Sequence, residues 1–188
     1  MNVARLIVHE PAGPIGSFRR GEPRDAAALA AFAARTFRET FGHSASAADL
    51  DAHEAAAYGT AQQERELVDP DTITILIEHE GSLLGFAQVR RASPPECAAI
   101  TDAIELHRFY VDRPWHGRGL APRLMSEVRR AARELGGSAL WLGVWEHNAR
   151  AIAFYRKSGY EDRGSTDYWV GPDRQTDRVM VAVLGSGE

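Results

Sequence analysis

Glu105-Leu-His-Arg-Phe-Tyr-Val-Asp-Arg-Pro-Trp-His-Gly-Arg-Gly-Leu-Ala-Pro-Arg-Leu-Met125 is the stretch whose reading decides the fold. Its first half reads as a strand, its middle as a turn with two glycines, and its end as the start of an amphipathic helix. Gly117 and Gly119 permit dihedrals and a close backbone approach that a side chain would forbid. The helix that follows leaves its first amide N–H groups unpaired, with the positive end of its dipole behind them. Such a turn suits a phosphate. Gly117, Arg118, Gly119, Leu120 and Ala121 are the candidate amide cradle, while Pro122 in the first turn removes one donor without breaking a helical bond. Leu120, Leu124, Val128, Ala131, Ala132 and Leu135 recur at helical spacing as a core face, and Arg123, Arg129, Arg130 and Arg133 fall largely elsewhere.

Working outward, residues 1–16 carry Pro11, Gly13, Pro14 and Gly16 and read as an irregular extension, in which Leu6-Ile-Val8 could add a short edge strand. Residues 17–188 read as one domain. Ser17-Phe-Arg-Arg20 is a short strand, a first helix runs from Pro23 to Phe41, and Ser46 caps a second helical region that breaks near Gly59. From Thr72 to Ile77 and from Ser82 to Arg90 β-branched and apolar residues form a hairpin around a Glu-Gly turn. Ala98 to Val111 is the strand that enters the glycine turn. After the core helix ends at Gly136-Gly137, Ala139 to Trp145 is a strand and Asn148 caps a helix that stops at Gly159. Tyr160 to Val170 and Arg178 to Leu184 close the chain as two strands across Gly171-Pro172. The fold class expected is α/β (α+β), with a mixed sheet of about seven strands and helices on both faces. The strands of Glu105 and Trp141 lie parallel across a helical crossover.

The 188 residues carry 22 Lys+Arg against 26 Asp+Glu, a net charge of −4, which speaks against general binding to nucleic acid or to a membrane surface. Ten acidic residues and one basic residue, Arg65, lie between Glu39 and Glu80, whereas residues 108–133 hold seven arginines against Asp112 and Glu127. One region suits a cationic partner and the other suits phosphates. The single cysteine, Cys97, excludes an internal disulfide, and no signal-peptide run or apolar stretch of roughly 20 residues is present, so a cytoplasmic protein is expected. The histidines show no ligand spacing and no metal is predicted. The four tryptophans read as packing residues.

Two motifs carry a resemblance. His116-Gly-Arg-Gly-Leu-Ala121 resembles the Arg/Gln-x-x-Gly-x-Gly/Ala signature of the GNAT acyltransferases, with histidine in the first place, and Asn148 to Tyr160 matches the family's Asn-x-x-Ala-x-x-Phe-Tyr-x-x-x-Gly-Tyr/Phe completely. The resemblance covers residues 17 to 184 in element order. More narrowly, Thr36 to Gly42, Leu140 to Glu146 and Asp173 to Asp177 look like the PaiA-type spermidine/spermine N-acetyltransferases. A Walker loop would need Gly-Lys-Ser/Thr, and a dinucleotide fingerprint would want glycine or alanine at Pro122.

The resemblance implies a GNAT fold with a splay between the two middle parallel strands, acetyl-CoA as donor and direct transfer of its acetyl group to an amine. It implies that the backbone of Phe109, Tyr110 and Val111 pairs with the pantetheine arm and that the amides from Gly117 to Ala121 hold the pyrophosphate. His116 is placed to donate to a phosphate oxygen and Asn148, first a helix cap, to touch CoA. Tyr155 matches the family's general acid for the departing thiolate. Glu105 matches the position that relays the amine's proton, burial being expected to raise its pKa, and His107 is a rival base on the same face as Glu105, Phe109 and Val111. The acceptor side would carry Glu39, Asp49, Asp51, Glu54, Glu64 and Glu66, which suits a polyamine or another small cationic amine. A peptide or lysine amine, or a CoA-responsive domain without turnover, are the alternatives. A homodimer stays open.

Overall fold

The computed structural model describes residues 16–42, 46–170 and 173–185. Among these residues seven strands form one sheet: β1 (Ser17–Arg20), β2 (Thr72–His79), β3 (Ser82–Arg91), β4 (Ala103–Val111), β5 (Ala139–Trp145), β6 (Glu161–Val170) and β7 (Asp173–Val183). Their order is β1-β2-β3-β4-β5-β7-β6. Only β4 and β5 are parallel; every other neighbouring pair is antiparallel. The helices are α1 (Ala26–Phe41), α2 (Ala47–Tyr58), α3 (Thr60–Val68), α4 (Leu120–Glu134) and α5 (Ala149–Lys157).

Local chemistry accounts for most boundaries. Gly59 separates α2 from α3 in an extended conformation, and Ser46 caps α2 by accepting from the Asp49 N–H at 3.2 Å. The β2–β3 turn holds Glu80 at φ 48° and Gly81 at φ 77°, the paired positive dihedrals of a tight hairpin. The strand expected from Ala98 begins instead at Ala103, because Glu96–Ala98 form a turn of 3-10 helix and Ala99 and Asp102 take positive φ. The last strand starts at Asp173, five residues before the expected Arg178, since β6 and β7 form one long hairpin. Its Gly171-Pro172 turn, like residues 1–15 of the expected extension, lies outside the described residues.

Helices α4 and α5 cover one face of the sheet. The predicted stripe of α4, from Leu120 to Leu135, is buried against Ile75, Val89, Leu106 and Leu142. On the other face α1 and α2 pack Leu29, Phe32, Phe37 and Tyr58 on Leu76 and Phe86. A smaller cluster puts Trp141, Val179 and Val181 against Ala98.

Two irregularities position the site. The first is a β-bulge: Gln88 pairs with Arg108 but Val89 pairs with Leu106, so His107 is an extra residue in β4. Alternation resets there. Leu106, Phe109 and Val111 join the α4–α5 core, while Arg108 and Tyr110 face α2. Glu105 reaches Arg90 and His107 and therefore does not share a face with Phe109 and Val111, contrary to the expectation from simple alternation. The second irregularity is the parting of β4 from β5.

Candidate active site

Parallel pairing of β4 and β5 covers only Ala103 with Ala139, Ile104 with Leu140 and Glu105 with Trp141. Beyond these, β4 follows β3 as far as Val111 opposite Gly85, and β5 follows β7 as far as Trp145 opposite Asp177. The strands diverge and leave a wedge between them. The Asp112 N–H donates to Leu84 O at 2.8 Å, which turns that residue and, two back, Tyr110 toward β3. Phe109 and Val111 therefore present their backbone groups to the wedge, and Tyr110 does not. The Tyr110 side chain instead stacks on Phe86, with ring centroids 5.5 Å apart, and its hydroxyl lies 3.3 Å from that of Tyr58.

At the end of the wedge lies the glycine turn. Gly117 and Gly119 have φ of 75° and 79°, and a Cβ at either would meet nothing within 4 Å. The turn is open to a ligand rather than packed. Among the described residues no turn or loop bond uses the N–H of Gly117, Gly119, Leu120 or Ala121, whereas Arg118 N–H donates to Trp115 O at 3.4 Å. The cradle thus offers four of the five expected amides, at the N-terminus of a 15-residue helix. Arg118 lays its guanidinium over Trp115 at 5.0 Å.

His116 is otherwise engaged. Its Nε2–H donates to Val111 O at 2.7 Å and its Nδ1 accepts from Arg150 Nη1 at 2.7 Å, so the ring ties β4 to α5 and keeps no donor for a phosphate. Asn148 caps α5 by accepting from Ala151 N–H at 3.1 Å. The α4 arginines also have protein partners: Arg129 donates to Ser158 O, Arg130 to Glu127 and Arg133 to Gly185 O.

Tyr155 lies beneath the wedge. Its ring packs between Phe109 and Tyr160, with centroids 6.3 and 5.5 Å away. Burial pushes the phenol well above its ordinary pKa, so it stays protonated at neutral pH, and its hydroxyl has no hydrogen-bond partner among the described residues. Glu105 differs from expectation. Burial acts to raise its pKa, but hydrogen bonds from His107 at 3.3 Å and from Arg90 at 2.5 Å outweigh it and hold the carboxyl below its usual range. Burial likewise lowers His107 against the opposing pull of Glu105, leaving a neutral imidazole that donates from Nδ1. His107 also lines a cleft of about 330 Å³ with Arg90, Arg65 and Gln62.

The expected acidic wall is largely neutralised. Arg38 bonds Asp51 and Glu54, Arg35 bonds Glu39, and buried Arg108 bonds Glu66. Asp49 is taken up with Ser46. Arg35, Arg38 and Arg108 lie outside the acidic stretch of sequence, so a count along the chain missed them. Two residues on this side escaped sequence reasoning. Asp177 of β7 leans over Gly143 of β5, where a Cβ would stand 3.0 Å from its Oδ2, and Tyr168 of β6 has its hydroxyl 3.3 Å from His53 Nε2. A glycine inside a strand was the available signal. Trp169, expected to pack, is 57% exposed.

Among the described residues, no helix is long and apolar enough to cross a membrane, and no group of three His, Cys, Asp or Glu is placed to hold a metal ion.

Comparison with known proteins agrees with this geometry. The profile of the Acetyltransferase (GNAT) family matches residues 28–160. An uncharacterized N-acetyltransferase of Mycobacterium tuberculosis is 31% identical over 160 residues, covering 85% of this chain and 98% of its own. A spermine/spermidine N(1)-acetyltransferase of Bacillus subtilis is 26% identical over 107 residues, 56% of this chain and 66% of its own. The crystal structure of PaiA N-acetyltransferase from Thermoplasma acidophilum in complex with coenzyme A superposes with a TM-score of 0.72 at 18% identity, over 89% of this chain and 98% of that one. The parted parallel strands, the open glycine turn and the matched profile together make this chain a member of the GNAT family of acetyltransferases, whose donor is acetyl-CoA.

Proposed function

We propose that this chain moves an acetyl group from acetyl-CoA to the primary amine of a small cationic molecule, a polyamine being the leading candidate, by direct transfer in a ternary complex. The observation that carries the reading is the continuity of the wedge with the open turn. Phe109 offers its backbone groups and Val111 its N–H along one side, the Val111 carbonyl being held by His116, and the amides of Gly117, Gly119, Leu120 and Ala121 stand at its end. Acetyl-CoA supplies the activated thioester. The β4 backbone orients the pantetheine arm and the turn binds the pyrophosphate, assisted by the dipole of α4. With His116 committed to Val111 and Arg150, the grip on phosphate is mainly one of backbone amides.

Tyr155, kept protonated by burial and beside Phe109, gives its proton to the departing thiolate. Glu105, kept ionised by His107 and Arg90, serves as a fixed negative charge on the acceptor side rather than as a base poised near neutrality. Carboxylate and aromatic groups around Tyr168, Tyr58 and Asp177 favour a cationic acceptor, and the name of the Bacillus relative points to polyamines.

The test is acetyl-CoA turnover followed by release of free CoA, with spermidine, spermine, monoamines and peptides of free N-terminus as acceptors. Preference for polyamines supports the reading, and a preference for peptides would replace the acceptor class.

A further inference from the structure

The carboxylates around the acceptor side are unequal in their company. Glu66 faces Arg108, Glu105 faces Arg90 and His107, and Glu54 faces Arg38. The Asp177 carboxylate has no hydrogen bond or ion pair among the described residues. It is nevertheless half-buried, on β7 opposite Trp145 of β5 and Thr166 of β6. Its carboxylate lies over Gly143, which follows Trp141 by two residues and so shares its face of β5. Trp141 is where β4 and β5 last pair, so the carboxylate sits just beyond the point at which the wedge begins to open. Gly143 makes the approach feasible, since any larger residue would press on Oδ2.

We propose that Asp177 receives the acceptor: its carboxylate binds the incoming ammonium where the wedge begins to open and takes the proton whose loss frees the nitrogen lone pair. The inference rests on the acetyl-transfer reading above.

A free carboxylate held in partial burial attracts a cation without first breaking an ion pair, which Glu105 and Glu66 could not do. The charged and titratable groups facing it are Glu146, just past β5, and Tyr168 of β6; Tyr168 in turn neighbours Tyr58 and His53 of α2 and Glu105 and Arg108 of β4. Burial, reinforced by the charge of Glu146, pushes Asp177 up to about 6. It is therefore ionised at neutral pH and more basic than Glu105. The proton balance closes. One proton of the ammonium passes to Asp177 and on to water. The free amine then forms the N–C bond, the C–S bond breaks, Tyr155 protonates the thiolate, and the remaining excess proton on nitrogen restores the phenol.

Asp177→Asn tests this in the full-length protein, with an acceptor that the wild type turns over. The expected result is a loss of about 10²-fold or more in kcat/KM, unchanged acetyl-CoA affinity by calorimetry, and disappearance of the acid limb near pH 6. Since the folded carboxyl binds its proton more tightly than the unfolded one, stability falls as pH rises through that window, and removal of the charge leaves the variant melting no lower than wild type at pH 7.5. Should Asp177→Asn fail to fold, Gly143→Ala, which displaces the same carboxylate, is expected to cost at least about tenfold in kcat/KM. Wild-type kcat/KM in the variant that folds, or an acid limb unmoved by Asp177→Asn, overturns the inference while leaving the transfer reading intact. A wild-type protein that binds acetyl-CoA and acetylates no amine overturns the transfer reading, and this inference with it.

Discussion

Replacing Arg108 by Met should be among the most destabilising single changes on the acceptor side. The guanidinium is only 6% exposed, bonds Glu66 and Gln88 Oε1, donates to Ala57 O at 2.9 Å and lies 5.0 Å over the Tyr58 ring. It is thus the post between β4 and the α2–α3 junction. Met fills much of the volume and makes none of the bonds. Glu66 is left as a buried charge, Gln88 Oε1 loses its donor and Ala57 O keeps only the bond from Gln63 Nε2, a loss of about 3–5 kcal/mol for breaking one side of a buried pair. For a domain of this size that corresponds to a melting temperature lower by roughly 6–20 °C. The pH dependence gives a second signature. In the wild type burial acts to raise the Glu66 pKa, but bonds from Arg108, Gln62 and Gln88 prevail and hold it below its usual range. Its contribution is present above the ordinary carboxylate range and is lost as pH falls through the lowered folded value. Without Arg108 the burial effect dominates and the pKa rises, so acidification neutralises the stranded charge. Urea titrations at pH 7 and pH 5 should show the gap between variant and wild type narrowing at the lower pH. A loss below about 1 kcal/mol, or a gap independent of pH, would refute the account of this post.

Three further expectations concern the site. Tyr155→Phe should lower kcat about 10²-fold or more with acetyl-CoA affinity retained, because only the transferable proton is removed; unchanged turnover takes Tyr155 out of the mechanism. Gly119→Glu should abolish acetyl-CoA binding, measured by calorimetry, since the new carboxylate projects into the open space before the amides and repels phosphate; wild-type affinity contradicts the cradle. Glu105→Gln should raise KM for a polyamine several-fold while changing kcat less, as expected for a fixed charge already paired with Arg90. A collapse of kcat with KM unmoved would restore Glu105 as the base.

What the sequence made legible is local. The α4 stripe, the Glu80–Gly81 turn, the break at Gly59 and the cap at Asn148 each follow from spacing or from one residue's backbone preference, and each stands where expected. What stayed hidden depends on partners far along the chain. The extra residue at His107 is invisible in composition, yet it moves Glu105 away from the face of Phe109. The acidic wall looked free because Arg38 lies 13 residues from Asp51 and Arg108 lies 42 from Glu66. His116 looked like a phosphate donor because its bonds to Val111 and Arg150 form only when β4, the turn and α5 converge. Asp177 was the reverse case, a site residue with a local clue in Gly143 that spacing rules do not register.

The most direct measurement is the release of free CoA by the purified full-length protein at saturating acetyl-CoA, with the acceptor product identified by mass spectrometry. The account predicts saturable release only when an amine is present, a product heavier by one acetyl group, and polyamines ahead of peptides. Tight acetyl-CoA binding without acetylation of any amine would contradict it and leave a CoA-binding domain without turnover.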